Sequence, residues 1–175
     1  FRADYLNRVL YKCPECGTEG KMLGKGINLT CSACNTKWTL REDGLLEPAK
    51  PFSSVPDWFR WEREQVRKEI TDGTYSIDTP VEIYMLVNTK AIYHVGQGTL
   101  KQDIKGFVLD GCDGKLHYEQ GPRASYSLYS DYFWYELGDM ICIGDMKTLY
   151  YCFPKKSGDI VAKARIATEE LYKMN

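Results

Sequence analysis

Two Cys-x-x-Cys pairs constrain this chain more than any other feature: Cys13-Pro14-Glu15-Cys16 and Cys31-Ser32-Ala33-Cys34. Each pair forms a knuckle that presents two thiolates to one ion. The 14 residues between the pairs accommodate a small β-hairpin but not a domain. This is the spacing of a Cys₄ zinc ribbon, with Cys13, Cys16, Cys31 and Cys34 as the ligands of a structural Zn²⁺. Zinc is preferred to an iron or iron–sulfur centre because nothing else in the chain suggests redox chemistry. A closed Cys₄ site leaves no open coordination position, so it builds structure, and chemistry must be sought elsewhere.

Length and charge narrow the search. The chain has 175 residues, enough for a small module plus a moderate domain. No stretch approaches the roughly 20 apolar residues of a membrane span. A net charge of −1 and a pI near 6.2 argue against a dedicated nucleic-acid binder. The first residue is Phe1, without a signal-peptide pattern, so the sequence reads as part of something longer. Cys142 and Cys152 lie in apolar runs and read as buried hydrophobes, whereas Cys112 sits in a turn. Metal-type knuckles beside free thiols indicate a reducing compartment, hence the cytoplasm, with peripheral membrane association left open.

Three segments follow from the pattern: a zinc ribbon over 1–45, a linker and amphipathic helix over 46–79, and a β-rich domain over 80–175. In the ribbon, Gly24-Lys25-Gly26 reads as a hairpin turn and Trp38 as the cover of a small core. Gly17 and Asn35 follow the knuckles and suit a left-handed backbone. Ser54-Val55-Pro56-Asp57 opens a helix expected to stop at Gly73. Phe59, Val66 and Ile70 form its apolar stripe beside Trp58 and Trp61, while Glu62, Arg63, Glu64, Arg67 and Lys68 are assigned to solvent. From Pro80, short β-runs alternate with turn residues. Ile160, Ala164, Ala167, Leu171 and Met174 then mark one face of a last helix, with Lys163, Glu169 and Lys173 on its wet side. The fold class is therefore mainly β (α+β). The layout is that of a pleckstrin-homology-like small antiparallel barrel with a C-terminal capping helix, which carries no function by itself.

Few residues offer chemistry. His94 and His117 lie singly in strands, and neither belongs to a Ser–His–Asp or metal-ligand pattern. Val95-Gly96-Gln97-Gly98 lacks the third glycine and the helix of a phosphate loop and reads as a bulge or turn. The run from Tyr126 to Tyr135 is dense in aromatics. At period 2 it puts Tyr126, Leu128, Tyr132 and Trp134 on one face, and Tyr129, Phe133 and Tyr135 on the other. Burial against the 56–72 helix is one reading. A partner- or lipid-docking surface at Tyr129, Phe133 and Tyr135 is the other.

Several stretches carry a family resemblance: Tyr11-Lys12-Cys13-Pro14-Glu15-Cys16-Gly17-Thr18, Pro56-Asp57-Trp58, Trp61-Glu62-Arg63-Glu64, Asp72-Gly73-Thr74-Tyr75, Leu109-Asp110-Gly111-Cys112-Asp113-Gly114, Asp131-Tyr132-Phe133-Trp134-Tyr135-Glu136 and Leu149-Tyr150-Tyr151-Cys152-Phe153-Pro154. Together they resemble the C-terminal extension of some Gram-positive bacterial 1-acyl-sn-glycerol-3-phosphate acyltransferases (lysophospholipid acyltransferases). The resemblance covers nearly the whole chain and lies outside that family's catalytic domain. The family's signature is a His with an Asp five residues on. Here Thr99 follows His94 at that distance and Pro122 follows His117, so no catalytic residue carries over.

The resemblance implies a non-catalytic accessory module of phospholipid synthesis. Its partners would be an upstream acyltransferase domain in the same polypeptide, a membrane surface or a carrier protein. Two alternatives stay open. One is a nucleic-acid-binding ribbon, although residues 1–50 hold only 8 Lys/Arg against 6 Asp/Glu. The other is an enzyme working from the barrel through acids such as Asp131 or Glu136.

Overall fold

The computed structural model describes residues 1–87, 89–134, 137–155 and 159–175. The chain divides into two compact units, Phe1–Val66 and Arg67–Asn175. It is mainly β, with two antiparallel sheets and two helices among the described residues. No helix among them is long and apolar enough to cross a membrane.

The first unit is built on a four-stranded meander: β1 (Met22–Lys25), β2 (Asn28–Cys31), β3 (Lys37–Leu40) and β4 (Leu46–Glu47). The expected turn joins β1 to β2, with Gly26 at φ 64°. Met22, Leu29, Trp38 and Leu46 point to one side and are at most 3% exposed. Helix α1 (Val55–Thr71) supplies the other side of this core through Trp58, which meets Trp38 edge-on at 4.8 Å. Ser54 begins α1 as expected: its hydroxyl accepts the Asp57 N–H at 3.3 Å and lies 2.7 Å from Asp57 Oδ2. Gly73 ends it at φ 71°.

The buried line of α1 differs from the expected stripe. Trp58, Glu62 and Val66 are each 0% exposed, Ile70 is 8% exposed, and Phe59 is only partly buried. Residues four apart stand over one another on a helix. Glu62, assigned to solvent on its charge, therefore lies inside the line.

The second unit is a seven-stranded sheet in the order β8-β7-β6-β5-β11-β10-β9. Its strands are β5 (Ile77–Val87), β6 (Ala91–Asp103), β7 (Gly106–Gly111), β8 (Leu116–Gln120), β9 (Tyr129–Trp134), β10 (Gly138–Gly144) and β11 (Leu149–Pro154). Cross-strand rows form its core. Ile83, Cys152 and Ile141 make one row, and Thr79, Leu100 and Leu109 another, all of them 2% exposed or less. Gly98 and Gly111 face each other, and a Cβ on either would come within 2.8 Å of Ile83 Cδ1. Side-chain-free backbone at this pair is what admits Ile83 to its row. The register shifts between Ile83 and Tyr84, which face Gly96 and His94, so Val95 is a bulge inside β6 while Gly96 to Gly98 pair regularly.

Helix α2 (Ile160–Met174) is buried on more of its circumference than a single stripe requires. Ala164, Ala167 and Leu171 face inward as expected. Val161, Ala162, Ile166, Thr168 and Glu170 are buried with them, whereas Ile160 is intermediate and Met174 is 47% exposed. Two of the three residues expected on the wet side are largely covered. Lys163 pairs with Glu69 at 2.9 Å with its side chain 11% exposed, and the Glu169 side chain is 17% exposed. Met174 is the last residue of the helix.

Candidate metal centre

The two knuckles are near copies of one another. In the first, the Cys13 N–H donates to the Thr18 carbonyl at 2.9 Å and the Gly17 N–H to the Cys13 carbonyl at 2.9 Å. In the second, the Cys31 N–H donates to Thr36 at 2.9 Å and the Asn35 N–H to Cys31 at 2.8 Å. Gly17 and Asn35 occupy the left-handed region, at φ 72° and 62°, which turns each loop back so that both sulfurs face inward. The four sulfurs of Cys13, Cys16, Cys31 and Cys34 lie within 4.8 Å of one another and can hold a metal ion. Cys13 Sγ stands 3.7 Å from Cys34 Sγ, and Cys16 Sγ stands 3.8 Å from Cys31 Sγ.

A threonine repeats with each knuckle. Thr18 Oγ1 lies 3.3 Å from Cys16 Sγ, and Thr36 Oγ1 lies 3.2 Å from Cys34 Sγ. The Thr18 hydroxyl and then its backbone N–H pull the Cys16 thiol down to about 6. The Thr36 hydroxyl lowers Cys34 in the same way. Burial raises Cys13 instead, to about 12. Both outer cysteines are thus shifted toward the thiolate, the ligand form, while a buried thiol is one that needs a cation to ionise. The Cys-x-x-Cys-x-Thr repeat was present in the sequence, and its threonines were the missed signal.

A second set of contacts holds the first knuckle from behind. Trp58 Nε1 donates to the Lys12 carbonyl at 3.0 Å, and the Lys12 N–H donates to Glu62 Oε1 at 2.9 Å. Lys12 also bridges to Glu19 across the base of the loop, and its Nζ reaches Glu19 Oε1 at 3.1 Å. Glu62 is fully buried and its Oε2 accepts no hydrogen bond among the described residues. Burial, opposed by backbone N–H groups of Lys12 and Tyr11, pushes its carboxyl up to about 9.

The other candidate residues do not assemble a centre. His94 and His117 are exposed: His94 Nε2 pairs with Glu82 at 2.7 Å, and His117 sits between Asp110 at 2.5 Å and Glu119 at 3.1 Å. Asp131 Oδ1 accepts the neighbouring Tyr132 N–H. Of the docking residues, Tyr129 is 57% and Phe133 49% exposed, while Tyr135, like Glu136, lies outside the described residues.

The facing of the aromatic run differs from strict alternation. Gly138 pairs with Trp134 but Met140 pairs with Asp131, so β9 carries one extra residue at a bulge where Phe133 adopts φ 60°. The bulge flips the parity and moves Trp134 to the face shared by Tyr129. There it stacks on Tyr151 at 4.9 Å and on Phe153 at 6.0 Å. Tyr84, Leu86, Ile92, Trp134, Leu137 and Tyr151 line a groove of about 580 Å³ on this side of the sheet.

The chain matches no protein-family model, no curated protein and no solved structure.

Proposed function

We propose that this chain is a non-catalytic zinc-binding accessory module. The sulfur geometry carries the reading. Four thiolates about 2.3 Å from a central Zn²⁺ stand about 3.8 Å apart at the corners of a tetrahedron. The separations of 3.7 and 3.8 Å between knuckles fit that edge. Cys13, Cys16, Cys31 and Cys34 would hold the ion, and the ion would supply a cross-link between two loops rather than an open coordination site. Elemental analysis of protein purified under reducing conditions should give close to one zinc per chain. Absence of zinc, or a disulfide among these cysteines, would refute the reading.

For the second unit we propose a pleckstrin-homology-like barrel. Its support is the strand order, in which a four-stranded meander (β5 to β8) and a three-stranded one (β9 to β11) join through β5 and β11 and a helix follows. The exposed Tyr129 and Phe133 are consistent with a docking role. The module's place would be the C-terminal region of an acyltransferase of phospholipid synthesis. The upstream domain would be its covalent partner, and a membrane surface or a carrier protein its external one. The quoted sequence resemblance is the sole support for that parentage. The complete reading frame decides it: an upstream domain bearing His-x-x-x-x-Asp sustains the proposal, and any other upstream sequence removes it.

A further inference from the structure

We infer that Trp58 and Glu62 of α1 are positioning residues for the metal: they fix the Lys12 peptide, and through it the direction in which Cys13 presents its sulfur. The inference rests on reading the four cysteines as a metal site.

The two knuckles are held differently at their entrances. Cys31 belongs to β2 and pairs with Met22, and the next residue, Ser32, donates its N–H to Lys21 at 2.8 Å. A sheet therefore orients the second knuckle. Cys13 lies outside every named strand, and its own N–H is spent inside the loop on Thr18. Upstream of it stands only a single bridge among the described residues, in which the Gly20 N–H donates to the Tyr11 carbonyl at 2.9 Å, and the peptide groups of Lys12 add to it in fixing the approach. One is bound by Trp58 through the Lys12 carbonyl, the other by Glu62 through the Lys12 N–H. A donor and an acceptor on the two sides of one residue are what a neighbouring strand offers. Here two helix side chains four residues apart supply both.

The chemistry of position 62 supports the same view. Its neighbours in the line, Trp58, Val66 and Ile70, are apolar, and a leucine would pack among them at less cost than a carboxyl group. A leucine has no acceptor, however, and the part-buried Lys12 N–H would lose its partner. The glutamate supplies that acceptor, and the Tyr11 N–H is directed at the same carboxyl group, while Oε2 has no partner among the described residues. Groups that orient metal ligands in this indirect way typically govern affinity by about 10–100-fold. Linkage makes the effect mutual: metal binding favours docking of the helix on Lys12, and docking favours the metal.

The test uses the full chain and zinc alone, with affinity read by competition against a chromogenic chelator. Trp58→Phe keeps the ring and removes the donor, and Glu62→Ala removes the acceptor. Each should weaken zinc binding by about 10-fold or more. Glu62→Gln keeps an acceptor oxygen and should stay within about 3-fold of the parent, the rescue that loss of packing alone would not give. Leu171→Ala, in the other unit, should leave affinity unchanged. Cobalt substitution adds a spectroscopic readout, because a displaced Cys13 alters the thiolate charge-transfer bands of the tryptophan and alanine variants. Equal affinities for the parent, Trp58→Phe and Glu62→Ala overturn the inference, as does a Glu62→Gln protein as weak as Glu62→Ala. If Glu62→Ala does not fold, Trp58→Phe against Glu62→Gln decides. A parent chain that binds no zinc refutes the metal reading itself, a result separate from all of these.

Discussion

Residues 1–66 bury a handful of large side chains, chiefly Leu10, Tyr11, Leu29, Trp38, Leu46 and Trp58, around a sheet whose last strand has two residues. Residues 67–175 bury complete cross-strand rows of a seven-stranded sheet and much of α2. A unit of the first size hides a modest fraction of its surface on folding and is marginal without a further link. The cysteine cluster stands where that link is needed. The second unit has no such cluster among its described residues and holds itself by packing. Small units are secured by a few strong contacts that cannot be exchanged, and larger ones by many weak contacts that can.

The sharpest break in this comparison comes from a ligand. Structural zinc contributes roughly 10–16 kcal/mol in small ribbons at neutral pH. Cys31→Ser should therefore unfold residues 1–66 and leave the second unit folded. Hydrogen exchange read segment by segment checks this: amides of β1 to β3 should lose protection and those of β5 and β11 keep it. Loss of protection in both units together would show that they do not fold separately.

The same contrast decided how much could be read in advance. Cys-x-x-Cys spacing is dictated by ligand geometry, so the knuckles, Gly17 and Asn35 were legible directly. Trp134 was not, because its face depends on one extra residue at Phe133 and period-2 counting cannot see a bulge. Glu62 was hidden for another reason. Charge is an excellent guide to solvent exposure on a helix, and it fails where a buried backbone N–H requires an acceptor. Lys163 was misplaced because its partner, Glu69, lies on another helix and no spacing rule connects them.

Leu171 tests the larger unit. It is 1% exposed on α2, and Leu171→Ala should cost about 2–5 kcal/mol. Thermal melts should show the second unit's transition falling while the zinc-bound first unit is unmoved. Equal shifts in both would break the comparison from the other side.

A smaller effect, with a distinctive pH signature, belongs to Glu62. Its folded carboxyl is raised to about 9 from an ordinary 4.5. Between these values the folded state keeps a proton that the unfolded state has lost. Stability from this group is therefore complete below about 4.5, declines as pH rises, and levels off above about 9. Glu62→Gln removes the dependence. With zinc saturating, its melting temperature should gain on the parent's by about 5–10 °C between pH 6 and pH 7, about 1.4 kcal/mol for that one pH unit. Parallel curves for the two proteins would show that Glu62 ionises freely and is not enclosed as described.

The smallest expected effects concern Glu170 in the second unit, which carries the mirror image of the Glu62 problem. Its carboxylate is 1% exposed, yet it is fully partnered: Arg67 reaches Oε2 at 2.8 Å through Nε and at 2.7 Å through NH2, and Lys173 reaches Oε1 at 3.1 Å. The cations are not equivalent. Arg67 gives two charge-assisted bonds in fixed geometry, whereas Lys173 gives one from a side chain that is 42% exposed. Water can replace the lysine more easily than the arginine, although the arginine side chain is itself 53% exposed, which reduces what its loss costs. Arg67→Ala should therefore cost about 1–2 kcal/mol, and Lys173→Ala about 0.5 kcal/mol or less. Denaturant titration of the second unit's transition separates the two. If they cost the same, Glu170 is held by its general surroundings and the two arginine contacts to Oε2 are incidental. If Arg67→Ala is clearly the worse, each unit encloses one carboxyl group by its own means: the first sets it against a backbone N–H, and the second pairs it with a guanidinium.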